Sequence, residues 1–253
     1  MTIEVSQLTD YLDELLKVRQ IKDFCPNGLQ VAGKSHVKRI MTGVTASQAL
    51  VDAAVAADVD ALLVHHGYFW KNEHQPIVGM KKRRIKALLE ADINLIAYHL
   101  PLDAHPSLGN NAQLAKLMNW SIDGTANPSD PGNVLMLGHV EQPYTSEQLA
   151  DALIEKLNRD LTCYVPCQQP IRRLAWCTGG GQGFIDEAVA LGVDAFITGE
   201  VSEQTVHSAR EQGIAFFAAG HHATERYGAK ALGEHLEQQF NLDVSFVDID
   251  NPA

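Results

Sequence analysis

The stretch "RIMTGVTASQALVDAAVAADVDALLVHH", residues 39–66, alternates strand-like and helix-like segments in an order that decides the fold class. Residues 40–44 and 61–64 are short apolar runs, which are typical of buried strands. Between them Leu50, Ala54 and Val55 recur at helical spacing. A strand, a helix and a second strand in this order predict a parallel pair of strands joined by a right-handed crossover.

A second stretch, "RLAWCTGGGQGFIDEAVALGVDAFITGE", residues 173–200, matches the first without a gap, 134 positions later. Arg39 aligns with Arg173 and Asp60 with Asp194. Duplication of an ancestral unit explains this register, and the common packing demands of α/β proteins are the alternative explanation. Each copy is followed by a further helix and strand, so each half is expected to form a βαβαβ unit.

The predicted fold class is therefore α/β, with two related α/β domains whose sheets are largely parallel. Residues 119–133 are rich in Gly, Pro, Asn, Asp and Ser, which predicts a linker. We expect a first α/β domain over residues 1–125 and a second over residues 126–253, with a C-terminal segment that can pack back on the first. The alternating residues 242–250 predict a last strand at an antiparallel edge.

Helices are also predicted at the N-terminus, capped by Ser6 or Thr9, and over residues 146–158.

Composition excludes several classes of function. The net charge of -11 disfavours binding to nucleic acid or to an anionic membrane surface, because both require a basic face. The N-terminal residues do not resemble a signal peptide, and no apolar run is long enough to span a bilayer. These features predict a cytoplasmic protein whose four cysteines are reduced thiols. A zinc site at Cys163 and Cys167 is the minority interpretation.

Candidate functional residues follow the apolar strands, at the edge where open α/β sheets bind their ligands. Six of the eleven histidines lie just beyond three of these strands, and acidic residues accompany them. The candidates are His65, His66, His99, Asp103 and His105 in the first half, and Glu200, His221, His222 and Glu225 in the second.

The residue types in these clusters suit a divalent metal. Imidazole with carboxylate is a ligand combination for Zn, Mn, Fe, Co or Ni. His65 and His66 point to opposite sides of a pleat, so they serve two metals unless the chain leaves the strand at Gly67. Spacing alone does not choose between His221 and His222. A hydrogen-bonded or solvated histidine is the alternative at each single position.

Two further motifs are weaker. Residues 178–184, "TGGGQGF", join a strand to a helix, and their amides could hold an anion, although a tight turn is the simpler interpretation. Residues 81–86, "KKRRIK", predict a solvated helix face.

Several motifs resemble those of the YbgI-type family, whose members are also described as GTP cyclohydrolase 1 type 2 homologues. The motifs include "PNGLQV" (26–31), "VHHGYFWK" (64–71), "YHLPLDAH" (98–105), "AWCTGGGQGFIDEA" (175–188) and "AAGHHATE" (218–225). The resemblance implies two α/β domains with a dinuclear metal site between them, and a homohexamer. It implies five metal ligands: His65, His66, Asp103, His221 and Glu225. His99 belongs to the same motif as Asp103, and we hold it as a residue that orients the ligands or as a catalytic proton-transfer candidate, with Glu200 as the alternative for proton transfer. The strand-end pattern by itself excludes neither Glu200 nor His105 as a ligand, and we expect Glu200 near the site but outside the ligand set.

The leading hypothesis is a hydrolase with two divalent metal ions per chain, which activate a water molecule. The family name implies a small-molecule substrate, a nucleotide-like heterocycle such as GTP, whose cyclic amidine or amide bond is opened. The alternative hypothesis is a non-catalytic metal-binding scaffold or regulatory protein.

Overall fold

The computed structural model describes residues 2–253 and divides into two compact units, each with one main sheet. The first unit holds the chain up to Gly109 together with Gly228–Asp250, and the second holds Asn110–Tyr227 and Asn251–Ala253. The sequence predicted a boundary between residues 125 and 126. In the structure residues 110–125 belong to the second unit and residues 228–250 to the first.

The helices and strands alternate along most of both units, and the α/β class is confirmed. The first unit contains strands β1 (Ile3–Glu4), β2 (Gly28–Val31), β3 (His36–Val37), β4 (Arg39–Thr45), β5 (Ala61–His66) and β6 (Asn94–Ala97), and helices α1 (Val5–Leu15), α2 (Gln48–Ala56), α3 (Gly79–Glu90) and α4 (Leu100–Asp103). The second unit contains helices α5 (Asn110–Met118), α6 (Ser146–Leu157), α7 (Ile185–Ala190) and α8 (Glu203–Gln212), and strands β7 (Ser121–Thr125), β8 (Met136–Tyr144), β9 (Cys163–Val165), β10 (Ile171–Cys177), β11 (Ala195–Thr198) and β12 (Ala215–Ala218). Helix α9 (His221–Phe240) belongs to the second unit up to Tyr227 and to the first from Gly228, and β13 (Asp243–Phe246) belongs to the first. Short 3-10 helices span Val18–Gln20 and Gln182–Phe184.

The two main sheets differ in how far they are parallel. In the first unit the order is β13-β4-β5-β6-β2, and only β2 runs antiparallel to its neighbour. In the second unit the order is β7-β8-β10-β11-β12-β9, and only β10, β11 and β12 are parallel to one another. The expectation of largely parallel sheets therefore holds for the first unit, whereas the second sheet is mixed.

The last strand, β13, lies at the sheet edge as expected, but the predicted antiparallel direction is wrong. Asp243 pairs with Arg39 and Phe246 with Thr42, so β13 runs parallel to β4. No tight hairpin turn, which would impose antiparallel pairing, joins these strands, because β4 and β13 lie far apart along the chain.

The apolar run of β5 is continuous because both faces of the first sheet are covered. Leu62 and Val64 pack in a core with Leu50 of α2 and Leu88 of α3. Ala61 and Leu63 pack on the other face, in a core with α1 and with the part of α9 that belongs to this unit. Since side chains alternate along a strand, His65 lies on the same face as Ala61 and Leu63, and His66 lies on the opposite face.

The duplicated stretches share their hydrogen bonds as well as their sequence. Asp60 Oδ2 accepts from the amides of Lys38 and Arg39, both at 2.9 Å. Asp194 Oδ2 accepts from the amides of Arg172 and Arg173, both at 2.8 Å. Each aspartate thus fixes the start of the neighbouring strand, β4 or β10, at equivalent positions of the repeat.

Two local expectations are corrected. Helix α1 has Glu4 at its N-cap with no side-chain cap, and the Thr9 hydroxyl donates instead to the carbonyls of Val5 and Ser6. In the basic stretch at residues 81–86, Lys82, Arg83 and Lys86 are exposed as expected, whereas Lys81 is buried, with its ammonium group 3.1 Å from Glu73.

Candidate metal centre

His65 is a fully buried histidine near the end of β5, and its tautomer follows from its partner. Nδ1 lies 3.0 Å from the carbonyl oxygen of Tyr98. A carbonyl can only accept, so Nδ1 carries the proton and the neutral ring has its lone pair on Nε2. Nε2 is 3.6 Å from Asp103 Oδ1. His65 therefore presents a ligand atom toward a buried carboxylate.

His66 ends β5 on the opposite side of the pleat and is partly exposed. Its Nδ1 is hydrogen-bonded to Thr45 Oγ1 at 3.0 Å, and Thr45 is its partner in the β4–β5 register. The rings of His65 and His66 are 4.5 Å apart between centroids. The two imidazoles diverge less than an ideal pleat would predict, because the strand ends at His66.

His99 lies at the N-cap of α4 and is bonded to a buried aspartate. Its Nδ1 is 2.7 Å from Asp23 Oδ1, and the side chain of Asp23 is only 3% exposed. Asp23 Oδ2 accepts from the Leu100 amide at 2.9 Å, while Asn27 Oδ1 accepts from the His99 amide at 2.8 Å. Burial raises the pKa of Asp23, but its hydrogen bonds, above all the one with His99, outweigh burial and hold the pKa below its usual range.

Three imidazoles of the first unit form a group that could hold a metal ion. One ligand atom from each of His65, His66 and His99 lies within 4.8 Å of the other two. Each ring has its Nδ1 bonded to a protein oxygen, as is usual for metal-binding histidines, whose second nitrogen is held by a carbonyl or carboxylate. The imidazoles and the adjacent Asp103 carboxylate suit a borderline divalent cation.

A neighbouring group of donors, Asp23, Cys25 and His99, is a poorer candidate. Burial, reinforced by the charge of Asp23, raises the pKa of the Cys25 thiol to about 12. A thiol binds metals as the thiolate, so this raised pKa weakens Cys25 as a ligand at neutral pH.

In the second unit His221 and Glu225 occupy the first turns of α9. They are four residues apart on one helix face, and Nε2 of the histidine is 3.0 Å from Glu225 Oε2. Nδ1 is 2.7 Å from Glu200 Oε1, beyond the end of β11. Burial alone lowers the pKa of His221, but the two carboxylates outweigh burial and raise it to about 9. This histidine and Glu225 have the right chemistry for a shared cation, which would compete with the imidazole proton.

The glycine-rich turn after β10 is built around this pair of side chains. Gly179 has a φ of +66°, and a Cβ at this position would overlap the carboxylate of Glu225. The Gly179 and Gly181 amides donate to the hydroxyls of Thr224 and Thr198, both at 3.0 Å. These amides are thus engaged within the protein, which favours the tight-turn interpretation of residues 178–184 over anion binding.

The other sequence candidates lie elsewhere. His105 Nδ1 accepts from the amides of Ser107 and Leu108, so it organises the turn after α4. His222 is buried, and its amide donates to the carbonyl of Ala253. Among residues 2–253, the groups of three or more close donors include neither Cys163 nor Cys167.

Sequence reasoning missed Asp23, Thr45 and Trp70. Asp23 lies in the turn-forming segment "DFCPN", which signals a loop but not a bond to a histidine 76 positions away. Trp70 lies within the same quoted motif as the two histidines, and its ring is 4.9 Å from that of His99. In the sequence, only its position a few residues after His65 and His66 could have indicated Trp70.

Comparisons with known proteins agree over the whole chain. The model of the family described as Duf34/NIF3 (NGG1p interacting factor 3) matches residues 3–252. The GTP cyclohydrolase 1 type 2 homolog of Pseudomonas aeruginosa is 55% identical over 253 residues, which is 100% of both chains. The protein of the same name from Vibrio cholerae is 57% identical over 249 residues, 98% of each chain.

A solved structure, that of protein ybgI of unknown function, superposes with a TM-score of 0.95 at 52% identity. It covers 99% of this chain and 100% of its own. Within the described residues, no helix combines the length and apolar character needed to cross a membrane.

Proposed function

The chain belongs to the Duf34/NIF3 (NGG1p interacting factor 3) family, and from this premise we propose that it is a metal-dependent hydrolase of a small heterocycle. The observation that carries the proposal is the hydrogen bond between His65 Nδ1 and the Tyr98 carbonyl, which leaves the Nε2 lone pair beside Asp103. A buried imidazole with this tautomer, next to a buried carboxylate, is typical of a metal site.

The proposed ligands are His65, His66, Asp103, His221 and Glu225, with two divalent ions per chain. The imidazoles bind as neutral donors, while the two carboxylates offset the positive charge of the ions. A bound divalent ion lowers the pKa of a water molecule and polarises an oxygen of the substrate.

His99 has a different role in the proposal, because its Nδ1 is bonded to a charged carboxylate, whereas that of His65 is bonded to a carbonyl and that of His66 to a hydroxyl. The His99 ring keeps its Nδ1 proton and donates it in the hydrogen bond to the Asp23 carboxylate, so Nε2 can accept a second proton, and the charge of the buried carboxylate offsets that of the imidazolium. His99 and Asp23 are therefore proposed to move a proton, with Asp23 as a positioning residue. The name of the curated relatives supports a purine or a related cyclic amidine as the substrate class.

The first test is metal content, measured by elemental analysis of the purified protein and of single variants. We expect about two ions per chain in the wild type, and fewer in His65→Ala and His221→Ala. His207→Ala is the matched control, because His207 forms an exposed i,i+4 pair with Glu203. Unchanged metal in the ligand variants would show that the ligand set is wrong.

The second test is turnover of GTP and of smaller cyclic amides, followed by chromatography. His99→Gln is expected to keep its metal and lose turnover, because it keeps the fold but has no proton-accepting imidazole. Full metal occupancy without turnover on a broad panel would favour the metal-binding scaffold. A homohexamer and a cytoplasmic location stay predictions, and light scattering and cell fractionation test them.

A further inference from the structure

The loop after β5, residues 67–74, is tightly fixed although it has no regular secondary structure. Gln30 Oε1 accepts from the Tyr68 amide at 2.7 Å, and its Nε2 donates to the Tyr68 carbonyl at 3.1 Å. The Tyr68 hydroxyl donates to the Ala46 carbonyl at 2.9 Å. The Lys71 amide donates to the Phe24 carbonyl at 2.7 Å. Contacts from three other segments therefore hold this loop in one conformation.

A buried lysine braces the far side of the same loop. Lys81 Nζ pairs with Glu73 at 3.1 Å, donates to the His74 carbonyl at 3.3 Å and lies 5.0 Å from the centre of the Phe69 ring. Phe69 has a φ of +66°, a left-handed conformation that bulky residues rarely adopt. Such strain persists only where the surroundings determine it, and it is concentrated at binding and active sites.

The loop holds the Trp70 ring against the imidazole group. The ring meets His99 edge to face, 4.9 Å between centroids and 83° between planes, and it is 5.9 Å from the ring of His66. The Trp70 amide donates to Glu73 Oε2 at 3.1 Å, and the indole N–H donates to the Gly67 carbonyl at 3.2 Å. A Cβ at Gly67 would overlap the Gln30 side chain, so the chain can pass this closely only as glycine.

The ring of Trp70 is partly exposed, and its only polar hydrogen is used within the loop. What it offers to a ligand is therefore a rigid π surface without hydrogen-bonding specificity. Such a surface recognises flat rings, since every planar heterocycle has a face that can stack. A purely structural role, in which the indole only shields the imidazoles from water, predicts that loss of the indole leaves the binding of flat rings unchanged.

We propose that Trp70 is the stacking surface for the planar ring of the substrate, beside the imidazoles of His66 and His99. This inference rests on the proposed function and adds the residue that selects a flat heterocycle. It concerns ring recognition, whereas the metal ligands are a separate set of residues, so the two can fail independently.

The experiment is equilibrium dialysis of the full chain, loaded with Zn²⁺, against guanosine and against ribose. Ribose lacks the ring and reports any binding through the sugar alone. The variants are Trp70→Leu, which removes the flat surface, and Trp70→Phe, which keeps a smaller one. Tyr164→Leu is the matched control, because Tyr164 is 37% exposed and stacks on Phe217 in the other unit. Metal content is measured for every variant.

We expect guanosine to bind the wild type and the Tyr164→Leu variant equally, and ribose to bind neither measurably. Trp70→Leu should lose ~10-fold or more in guanosine affinity, the loss expected when one stacked base loses its aromatic partner, and Trp70→Phe should lose less. Equal affinity in wild type and Trp70→Leu would overturn the inference. So would equal binding of ribose and guanosine, or no guanosine binding by a fully metal-loaded wild type.

A second measurement follows guanosine binding by the protein without any substitution. With 5-fluorotryptophan incorporated, the three tryptophans give three ¹⁹F signals, and Trp70→Phe identifies the signal of Trp70. Guanosine should shift that signal and leave those of Trp120 and Trp176, which are buried, in place. An unmoved Trp70 signal at saturating guanosine would contradict stacking. If the purified protein held no metal, the proposed hydrolase would be contradicted. The ¹⁹F signal of Trp70 could still be measured on the metal-free protein, so it tests stacking separately.

Discussion

Replacing Asp23 by asparagine should destabilise the protein strongly, because its carboxylate accepts four hydrogen bonds while buried. Oδ1 accepts from the Phe24 amide at 2.6 Å and from His99 Nδ1 at 2.7 Å. Oδ2 accepts from Asn27 Nδ2 and from the Leu100 amide, both at 2.9 Å. An asparagine has one acceptor atom, so in either orientation two donors face an amide hydrogen.

The size of the effect follows from those two lost bonds. Each leaves an exposed or partly buried donor facing an amide hydrogen, at about 1–3 kcal/mol, and the two bonds that stay lose the charge of the carboxylate. We therefore expect the free energy of unfolding to fall by about 3 kcal/mol, and the melting temperature by about 6–12 °C for a chain of this size. Urea unfolding at pH 7, followed by circular dichroism, measures the change.

Asp123→Asn is the matched control, because Asp123 also pairs with a histidine through Nδ1. That pair, with His139, is 2.9 Å apart but exposed, with side chains 47% (His139) and 55% (Asp123) accessible. Exposed ion pairs contribute little, so this variant should change the free energy by less than about 0.5 kcal/mol. Equal losses in Asp23→Asn and Asp123→Asn would refute the reasoning.

The pH dependence gives a second check on the same residue. The pKa of Asp23 is lowered in the folded protein, so its contribution is present above the unfolded value of 3.8 and is lost as pH falls through the folded pKa. The difference in stability between wild type and Asp23→Asn should therefore shrink below about pH 3.8. A difference that grows in acid would contradict the assigned hydrogen bonds.

Three further predictions concern other parts of the chain. In urea unfolding, Asp60→Asn should destabilise the protein more than its repeat counterpart Asp194→Asn, because Asp60 also accepts a 2.8 Å bond from Lys34 Nζ. Equal losses of stability would show that this bond contributes nothing. Lys81→Met should lower the free energy of unfolding by about 1–2 kcal/mol and speed hydrogen exchange in residues 67–78, because it removes the pair with Glu73. Lys82→Met, at an exposed position of the same helix, should change neither. Glu200→Gln should keep the number of bound ions but weaken their affinity by about 10–100-fold, since Glu200 only orients the ring of His221; loss of an ion would place Glu200 in the ligand set.

Patterns of short range were sufficient for much of the fold. The order of strands and helices in residues 39–66 follows from periodicity, and helix α6 was predicted to within one residue of its observed end at Leu157. The positions of His65 and His66 at a strand end required only the apolar run before them. The gapless repeat was also visible, and the matched bonds of Asp60 and Asp194 give it a structural reason.

His99 and Asp103 have the same spacing along the chain as His221 and Glu225, which predicts that the two pairs occupy equivalent positions of the repeat, but the strand registers do not align them. In the strand registers Ala61 pairs with Asn94, and its repeat equivalent Ala195 pairs with Ala215. Counting from these pairs, His221 corresponds to Leu100 rather than to His99. The turns after β6 and β12 differ by one residue, and local spacing could not reveal a difference that only the strand registers define.

The sequence by itself determined the α/β class, the duplicated unit and the strand ends at which the candidate ligands occur, because these depend on periods of two and 3.6 residues along the chain. Tertiary structure alone decided which partner each polar group has. Only in the folded protein is Asp23 hydrogen-bonded to His99, and His65 Nδ1 to the Tyr98 carbonyl. The burial of Lys81 beside Glu73 and the parallel pairing of β13 with β4 also depend on segments that are distant in sequence. A buried polar group must find a hydrogen-bond partner, but its sequence position does not say which distant segment will provide it.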